Sequence, residues 1–353
     1  MKHIQIPELL RMTRTHEDTC REVAAVTARL RLQRPVILTG GRATQGIADG
    51  IKEAFPREAT FLNAQSASFR EVQTVERHAF EHGADGVIAL GGGKVLDVGK
   101  YAAYRHHVPF IAVPTQASHD GIASPIAVIE SEDGRKKSLG AKMPVAVIAP
   151  LHVIAGSPAE ALRAGVGDLL SNLSAIQDWR LAREAGREEY DDFAAIISKH
   201  AAELMRNELR KRPDPHALPF VELLVEGLML SGVAMAVAGS SRPCSGSEHL
   251  VSHALDYLGH SPAHHGTQVG SLSLFSLYLQ GDLDLGYVRD VEAIGIPLPT
   301  ALLPTSWAEL VRLFGTARVM RPGRHTVLDQ FTDEELVRRY EAFRRTVETE
   351  RPT

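Results

Sequence analysis

Apolar and polar positions are patterned in two different ways along this chain, and the change falls near Pro150. Before it, short apolar bursts are separated by stretches of helical period: VILTG (36–40), TFLNA (60–64), GVIALGGG (86–93) and FIAVPT (110–115). GRATQGIADGIKEAF (41–55) reads as a turn and an amphipathic helix, 69–83 as a second helix, and a third starts at Lys94. Buried strands alternating with helices predict a doubly wound parallel sheet. PIAVIE (125–130) and PVAVIA (144–149) flank the polar SEDGRKKSLGAK, a β-excursion or hairpin. From Ser157 onward no strand pattern recurs, and helices are predicted over 158–186, 191–211, 217–238, 247–258, 266–279, 287–293, 306–319 and 332–350. The Pro-rich pieces RPDPHALP (212–219) and IPLPTALLPTS (296–306) break helices rather than form domains. The expected architecture is an α/β domain over 1–152 and an all-α domain over 153–353.

Composition narrows the function. A chain of 353 residues is long enough for two cores. A net charge of −4 with 23% charged residues disfavours a nucleic-acid surface. Cys20 and Cys244 form no CxxC and no disulfide framework, which fits a reducing cytoplasm. The N-terminal MKHIQIPELLRMTRTHED lacks the apolar run of a signal peptide. The most apolar segment, 219–239, carries Glu222 and Glu226 near its centre, so a buried core helix is expected there and no membrane span. The apolar helical half favours a homo-oligomer.

Candidate chemistry concentrates in SRPCSGSEHLVSHALDYLGHSPAHHG (241–266). Glu248 and the apolar residues after it suggest a helix start, and at helical spacing His249 and His253 share one face. His260, His264 and His265 follow within a dozen residues. Neutral imidazole is the commonest metal ligand, but with 16 histidines in the chain an HxxxH pair needs a carboxylate from elsewhere to make a site. At the other end, GVIALGGGKVLDVGK puts glycines between a buried strand and a helix, where backbone N–H groups can meet a pyrophosphate. Leu96 stands where the third glycine of the dinucleotide fingerprint belongs, and there is no GK[ST] of a P-loop. PTQASHDGIASP (114–125) places hydroxyls, His119 and Asp120 just beyond the carboxyl end of the next buried strand, the usual ligand side of an open α/β sheet.

Together, GGGKVLDVGK (91–100), PTQASHDGIASP (114–125), GVGDLLSNLSAIQDWRLA (165–182) and SRPCSGSEHLVSHALD (241–256) with HHG (264–266) resemble the metal-dependent polyol dehydrogenases. That superfamily includes glycerol dehydrogenase, the iron-containing alcohol dehydrogenases and dehydroquinate synthase; SHDGIASP and SGSEH resemble its glycerol-1-phosphate dehydrogenase subgroup. The resemblance implies a Rossmann-like parallel-sheet domain followed by an all-α domain, the dehydroquinate synthase-like fold. It implies one divalent metal, most simply Zn²⁺ with Ni²⁺ or Fe²⁺ as alternatives, on Asp168, His249 and His265. His264 is the rival third ligand by composition, but the family places the ligand directly before Gly. The same likeness implies NAD(H) or NADP(H) on Gly92, Gly93, Lys94, Val95, Leu96, Asp97, Thr115, Gln116, Ser118 and Ser124. It assigns Asp120, Asp168 and His253 to substrate and catalysis, with His253 beside the metal as a proton relay. The implied substrate is a phosphorylated triose, dihydroxyacetone phosphate, reduced to sn-glycerol 1-phosphate; Arg242, Ser245 and Ser247 are the candidate donors to its phosphate. Rival readings are a glycerol dehydrogenase, which needs no phosphate site, and a dehydroquinate synthase-like lyase, which typically has Glu where Asp168 stands. After about residue 300 no motif of the family is recognisable.

Cofactor choice follows from the first strand end, where Gly40-Gly41-Arg42 offers space and a cation instead of the acidic residue that excludes a 2′-phosphate. NADPH is therefore expected to be accepted alongside NADH. Arg42→Asp should raise the Michaelis constant for NADPH selectively, and equal effects on both cofactors in steady-state kinetics would remove Arg42 from this role.

Overall fold

The computed structural model describes residues 9–41, 44–54, 59–132, 134–260 and 263–349. Arg42 therefore lies outside the described residues. The chain divides into two compact units, residues 1–158 with 216–236, and residues 159–215 with 237–353.

The first unit runs β1 (Leu9–Thr13), α1 (His16–Arg29), β2 (Pro35–Thr39), α2 (Gln45–Ala54), β3 (Thr60–Asn63), α3 (Phe69–Glu81), β4 (Gly86–Gly91), α4 (Gly93–His106), β5 (Phe110–Pro114), β6 (Ile126–Glu130), β7 (Lys136–Gly140), β8 (Ala146–Pro150) and α5 (Leu151–Ala155). Six strands form one parallel sheet in the order β1-β8-β5-β4-β2-β3. The apolar bursts become its central strands because both faces are covered: Ile37, Ile88, Leu90, Ile111, Val113 and Ile148 pack with Val23, Val26, Ile47 and Ile51 from α1 and α2. Helix starts follow the capping chemistry, with the Thr15 and Ser68 hydroxyls accepting from Asp18 N and Glu71 N. The order of strands reverses between β2 and β4, so the glycine turns that end these neighbours lie side by side, and Gly40 N–H donates to Leu90 O at 3.2 Å.

Two features depart from the sequence pattern. Strand β1 is absent from it, since LLRMT has no uninterrupted apolar run and its register with β8 joins residues far apart in sequence. The hairpin partner of β6 is β7, inside the polar SEDGRKKSLGAK, while 146–150 enters the main sheet between β1 and β5. A two-stranded antiparallel pair needs only local pairing, and its exposed lysines reflect an edge open to water.

The remaining chain is helical: α6 (Ala159–Glu184), α7 (Asp192–Leu209), α8 (Leu218–Ala238), α9 (Ser247–Tyr257), α10 (His265–Leu279), α11 (Leu285–Ala293), α12 (Trp307–Val319) and α13 (Asp333–Thr349). Every helix expected beyond Ser157 is present. Residues 216–236, most of α8, belong with the sheet rather than with the helices around them in sequence. By length and composition α8 could cross a membrane, but 67% of its most apolar window is buried within the fold. Glu222 on it pairs with Arg14 at 3.7 Å. In the second unit α6 is buried on nearly every side, and Phe275 of α10 packs with Phe314, Tyr340 and Phe343.

One buried cation ties the SHDG loop to the sheet. Lys100 Nζ on α4 donates to Gly121 O at 2.7 Å and Ile126 O at 2.8 Å and lies 3.7 Å from Asp97. Burial pushes the Asp97 carboxyl up to about 6 against the pull of Lys100, and burial lowers Lys100 against the pull of Asp97. Removing one member of a buried pair strands the other, typically at a cost of about 3–5 kcal/mol. Lys100→Met should lower the urea midpoint accordingly, and adding Asp97→Asn should recover part of the loss; an unshifted midpoint in Lys100→Met would refute this account.

Candidate active site

The second unit gathers its donors by a close approach of two helices. A Cβ on Gly167 would sit 2.3 Å from Gly266 O, and one on Gly270 would sit 2.3 Å from the Gly167 Cα. Only glycines permit that contact, and it sets Asp168 of α6 beside the first turn of α10, where His265 stands. Helix α9 adds His249 and His253, one turn apart. The ring centroids of His249, His253 and His265 are 5.1–6.1 Å apart, with His253 and His265 stacked.

Asp168, His249 and His265 each present one donor atom, all within 4.8 Å of one another. His249 Nε2 is 4.0 Å from Asp168 Oδ1. Donors around one divalent ion with bonds of about 2 Å lie about 3–4 Å apart, so this set fits a cation after a small contraction. His264 is exposed at the residue before α10, and His260 is exposed too. A second grouping, His78, Glu81 and His82, lies near the end of α3 with Glu81 and His82 exposed.

A buried carboxylate orients His249. Glu248 Oε1 lies 2.9 Å from His249 Nδ1 and accepts from Gly246 N at 2.6 Å, while its Oε2 accepts from Ser174 Oγ at 2.8 Å. With Nδ1 engaged, the lone pair of Nε2 is free for a metal. Asp178 accepts from Ser247 N and Val327 N and is pushed up to about 6 by burial and then by the charge of Glu248. Burial also raises Glu248. His265 Nδ1 meets Ser252 Oγ at 3.2 Å. Burial, then the charges of Arg321 and Arg324, lowers His249 to about 3; burial, then His265 and Arg321, holds His253 well below the usual range. Both rings are neutral at neutral pH, the form a metal binds.

The arginines enter from the loop after α12. Arg321 Nη1 donates to Ser241 Oγ at 2.9 Å, and Arg324 donates through Nη1 to Ser245 O at 2.7 Å and through Nη2 to Ser241 Oγ at 3.0 Å. Arg242, expected at the phosphate, is used otherwise. It is 1% exposed, forks onto Glu188 with bonds of 2.6 and 2.5 Å, and donates to His325 O. Ser247 Oγ bonds to Ser276 Oγ at 2.8 Å, whereas Ser245 Oγ is buried without a partner among the described residues.

In the first unit, the loop Gly91–Gly93 ends β4 and opens α4. Gly93 and Lys94 keep backbone N–H groups without a backbone partner among the described residues, and Lys94 is exposed. The His119 ring stands over this turn, since a Cβ on Gly93 would lie 2.2 Å from its Nε2. His119 Nδ1 accepts from Gly121 N at 2.9 Å, and Thr115 N–H binds Gly91 O at 2.9 Å. Gln116 and Ser118 are half-buried beside the turn. Burial raises Asp120, with His119 and Lys100 opposing.

Four residues expected at the cofactor have interior side chains instead. Val95 and Leu96 are core, and their N–H groups bond to Gly92 O. Asp97 faces Lys100 and accepts from Val128 N–H, and Ser124 donates to Ile126 O and Asp120. Once α4 starts at Gly93, the helical period turns 95–97 toward the sheet. Conversely, Glu248, Asp178, Arg321 and Arg324 went unrecognised as site residues. The acidic residue directly before His249 was a legible signal for Glu248, but MRPGRH carries none.

The iron-containing alcohol dehydrogenase family model matches residues 14–158. The glycerol-1-phosphate dehydrogenase [NAD(P)+] of Pyrococcus furiosus is 38% identical over 314 residues, 87% of this chain and 89% of that one. That of Thermococcus kodakarensis is 37% identical over 335 residues, 93% and 94% of the two chains. Among solved structures, a probable glycerol dehydrogenase from Sinorhizobium meliloti has a TM-score of 0.79 at 23% identity, covering 99% of this chain and 100% of its own. Sulfoacetaldehyde reductase from Bifidobacterium kashiwanohense, solved with NAD+, has a TM-score of 0.76 at 17% identity, covering 97% and 98%. These two share the fold.

Glu248→Gln keeps the size of the group that holds His249 Nδ1 but removes its charge. Metal affinity, measured by competition with a chromogenic chelator, should fall about ten- to a hundredfold; unchanged affinity would take Glu248 out of the site.

Proposed function

Because the chain belongs to the glycerol-1-phosphate dehydrogenase family, we propose that it reduces dihydroxyacetone phosphate to sn-glycerol 1-phosphate with NADH or NADPH, and catalyses the reverse oxidation. The meeting of Asp168, His249 and His265 within 4.8 Å carries this reading. These three residues are assigned to one divalent cation, Zn²⁺ first, because a carboxylate with two neutral imidazoles leaves a position open; Ni²⁺ and Fe²⁺ suit the same donors. A cation held there would supply Lewis acidity toward the substrate ketone. The Gly92–Gly93–Lys94 turn with Thr115, Gln116 and Ser118 would hold NAD(P)H, which would supply hydride to the substrate.

The chain's own groups complete the reduction. His253, stacked on His265, hands a proton to the oxygen on C2. Its imidazolium is disfavoured by burial and by neighbouring cations, so a proton taken from solvent is held weakly and passed on readily. Glu248 and Ser252 hold the two liganding imidazoles in orientation. Asp120, in the sheet unit, is assigned to the terminal hydroxyl of the substrate. Cys20 and Cys244 are both free thiols, which supports a cytoplasmic location for the enzyme.

The test is cofactor oxidation by metal-analysed protein with dihydroxyacetone phosphate, dihydroxyacetone and glycerol. Dihydroxyacetone phosphate should be strongly preferred. Asp168→Asn replaces a charged ligand by a poor one, so metal and activity should both be lost while NADH fluorescence titration still reports binding. Full activity in a demonstrably metal-free preparation, or turnover of dihydroxyacetone and glycerol alone, would overturn the reading.

A further inference from the structure

We propose that His78, Glu81 and His82, at the carboxyl end of α3, bind a second divalent transition-metal ion through residues of the sheet unit alone. Such a site is independent of the reaction assigned above.

Helical period and the way the helix ends place the three donors. Positions 81 and 82 are three and four residues beyond 78, so the side chains share one face of the last turn. One donor atom from each lies within 4.8 Å of the others. The two imidazoles are stacked, with ring centroids 5.8 Å apart and planes 22° from parallel. The backbone beneath them is pinned. Ala84 N–H donates to Ala79 O at 2.8 Å and Gly83 N–H to Phe80 O at 3.3 Å, with Gly83 at a φ of +58°. This pair of bonds closes a helix on a left-handed glycine. The donors therefore stand on a fixed turn rather than on a free loop.

Protonation and charge both suit a cation. His82 Nδ1 lies 2.9 Å from His78 O. A carbonyl oxygen only accepts, so Nδ1 carries the proton and Nε2 keeps its lone pair for a metal. His78 Nδ1 is buried without a hydrogen-bond partner among the described residues. Glu81 forms no ion pair among them either. Its carboxylate stands at the carbonyl end of α3, where the helix dipole disfavours a negative charge and favours a positive one. Arg34 packs against the turn at Gly83 and does not pair with it. A metal ion held by Glu81 and the two imidazoles supplies the positive charge that this helix end lacks.

The donor set selects the ion. Two nitrogens and one carboxylate oxygen suit Zn²⁺, Ni²⁺ and Cu²⁺, whereas Mg²⁺ and Ca²⁺ call for oxygen shells. Glu81 and His82 are exposed, so water completes the coordination and the ion exchanges with solvent. Bound there, it clamps the last turn of α3 to its C-cap and stabilises the fold increasingly as free metal rises.

The experiment titrates the metal-loaded full chain with Zn²⁺, using equilibrium dialysis with elemental analysis and, in parallel, thermal unfolding. Wild type should take up a further equivalent per chain, and its thermal midpoint should rise as Zn²⁺ is added. Mg²⁺ should do neither, and uptake of Mg²⁺ with equal affinity would overturn the proposed donor chemistry. His82→Gln should lose both the further equivalent and the rise in midpoint, with turnover unchanged. Glu81→Gln should bind the ion at least about tenfold more weakly. Both substituted residues are exposed, so neither change opens the core. Asp168→Asn, which alters only the other site, should retain the uptake. A wild-type chain that takes up no further ion would overturn the proposal, as would uptake that persists unweakened in either α3 variant. Loss of the further equivalent in Asp168→Asn would place it at His249 and His265 and overturn the proposal equally.

Discussion

The helical unit depends on one contact, the backbone approach of α6 to α10 at Gly167, Gly266 and Gly270. No side chain can occupy that crossing, so its geometry is set by backbone atoms and carries little slack. The residue after Gly167 is Asp168 and the residue before Gly266 is His265. Two donors from segments about a hundred positions apart are therefore brought together by a packing rule rather than by any attraction between them. Helix α9 then needs to supply only the orientation of His249, which Glu248 provides from the preceding position.

Around this crossing the charges are layered. Glu248 beside His249 and Asp178 at the start of α9 are each satisfied by backbone or hydroxyl donors, and their burial favours the protonated form. The guanidiniums of Arg321 and Arg324, after burial, favour neutral rings at His249 and His253. Neutral imidazoles with one nitrogen engaged are what a divalent cation requires.

The sheet unit solves a different problem, presenting backbone N–H groups at a strand end while holding the next loop still. Lys100 does the holding, with hydrogen bonds to two carbonyls and a carboxylate nearby. His119 closes over the glycine turn from the adjacent strand end. Both are local consequences of β4 and β5 being neighbours in the sheet.

What the sequence determined alone is what periodicity and short-range chemistry encode. The central strands appear as apolar runs because both faces of a parallel sheet are buried, and α6 to α13 appear through their period and their proline breaks. The cluster of Asp168, His249 and His265 was reachable because motif blocks survive as contiguous strings. The tertiary structure decided whatever depends on a partner distant in sequence. It added β1, whose five residues carry no apolar run and pair only with β8, and it assigned α8 to the sheet unit. It turned Asp97 and Ser124 inward, because only the packed helix and loop define which side of them faces the interior. It engaged Arg242 with Glu188, since a guanidinium's availability depends on whether a carboxylate meets it.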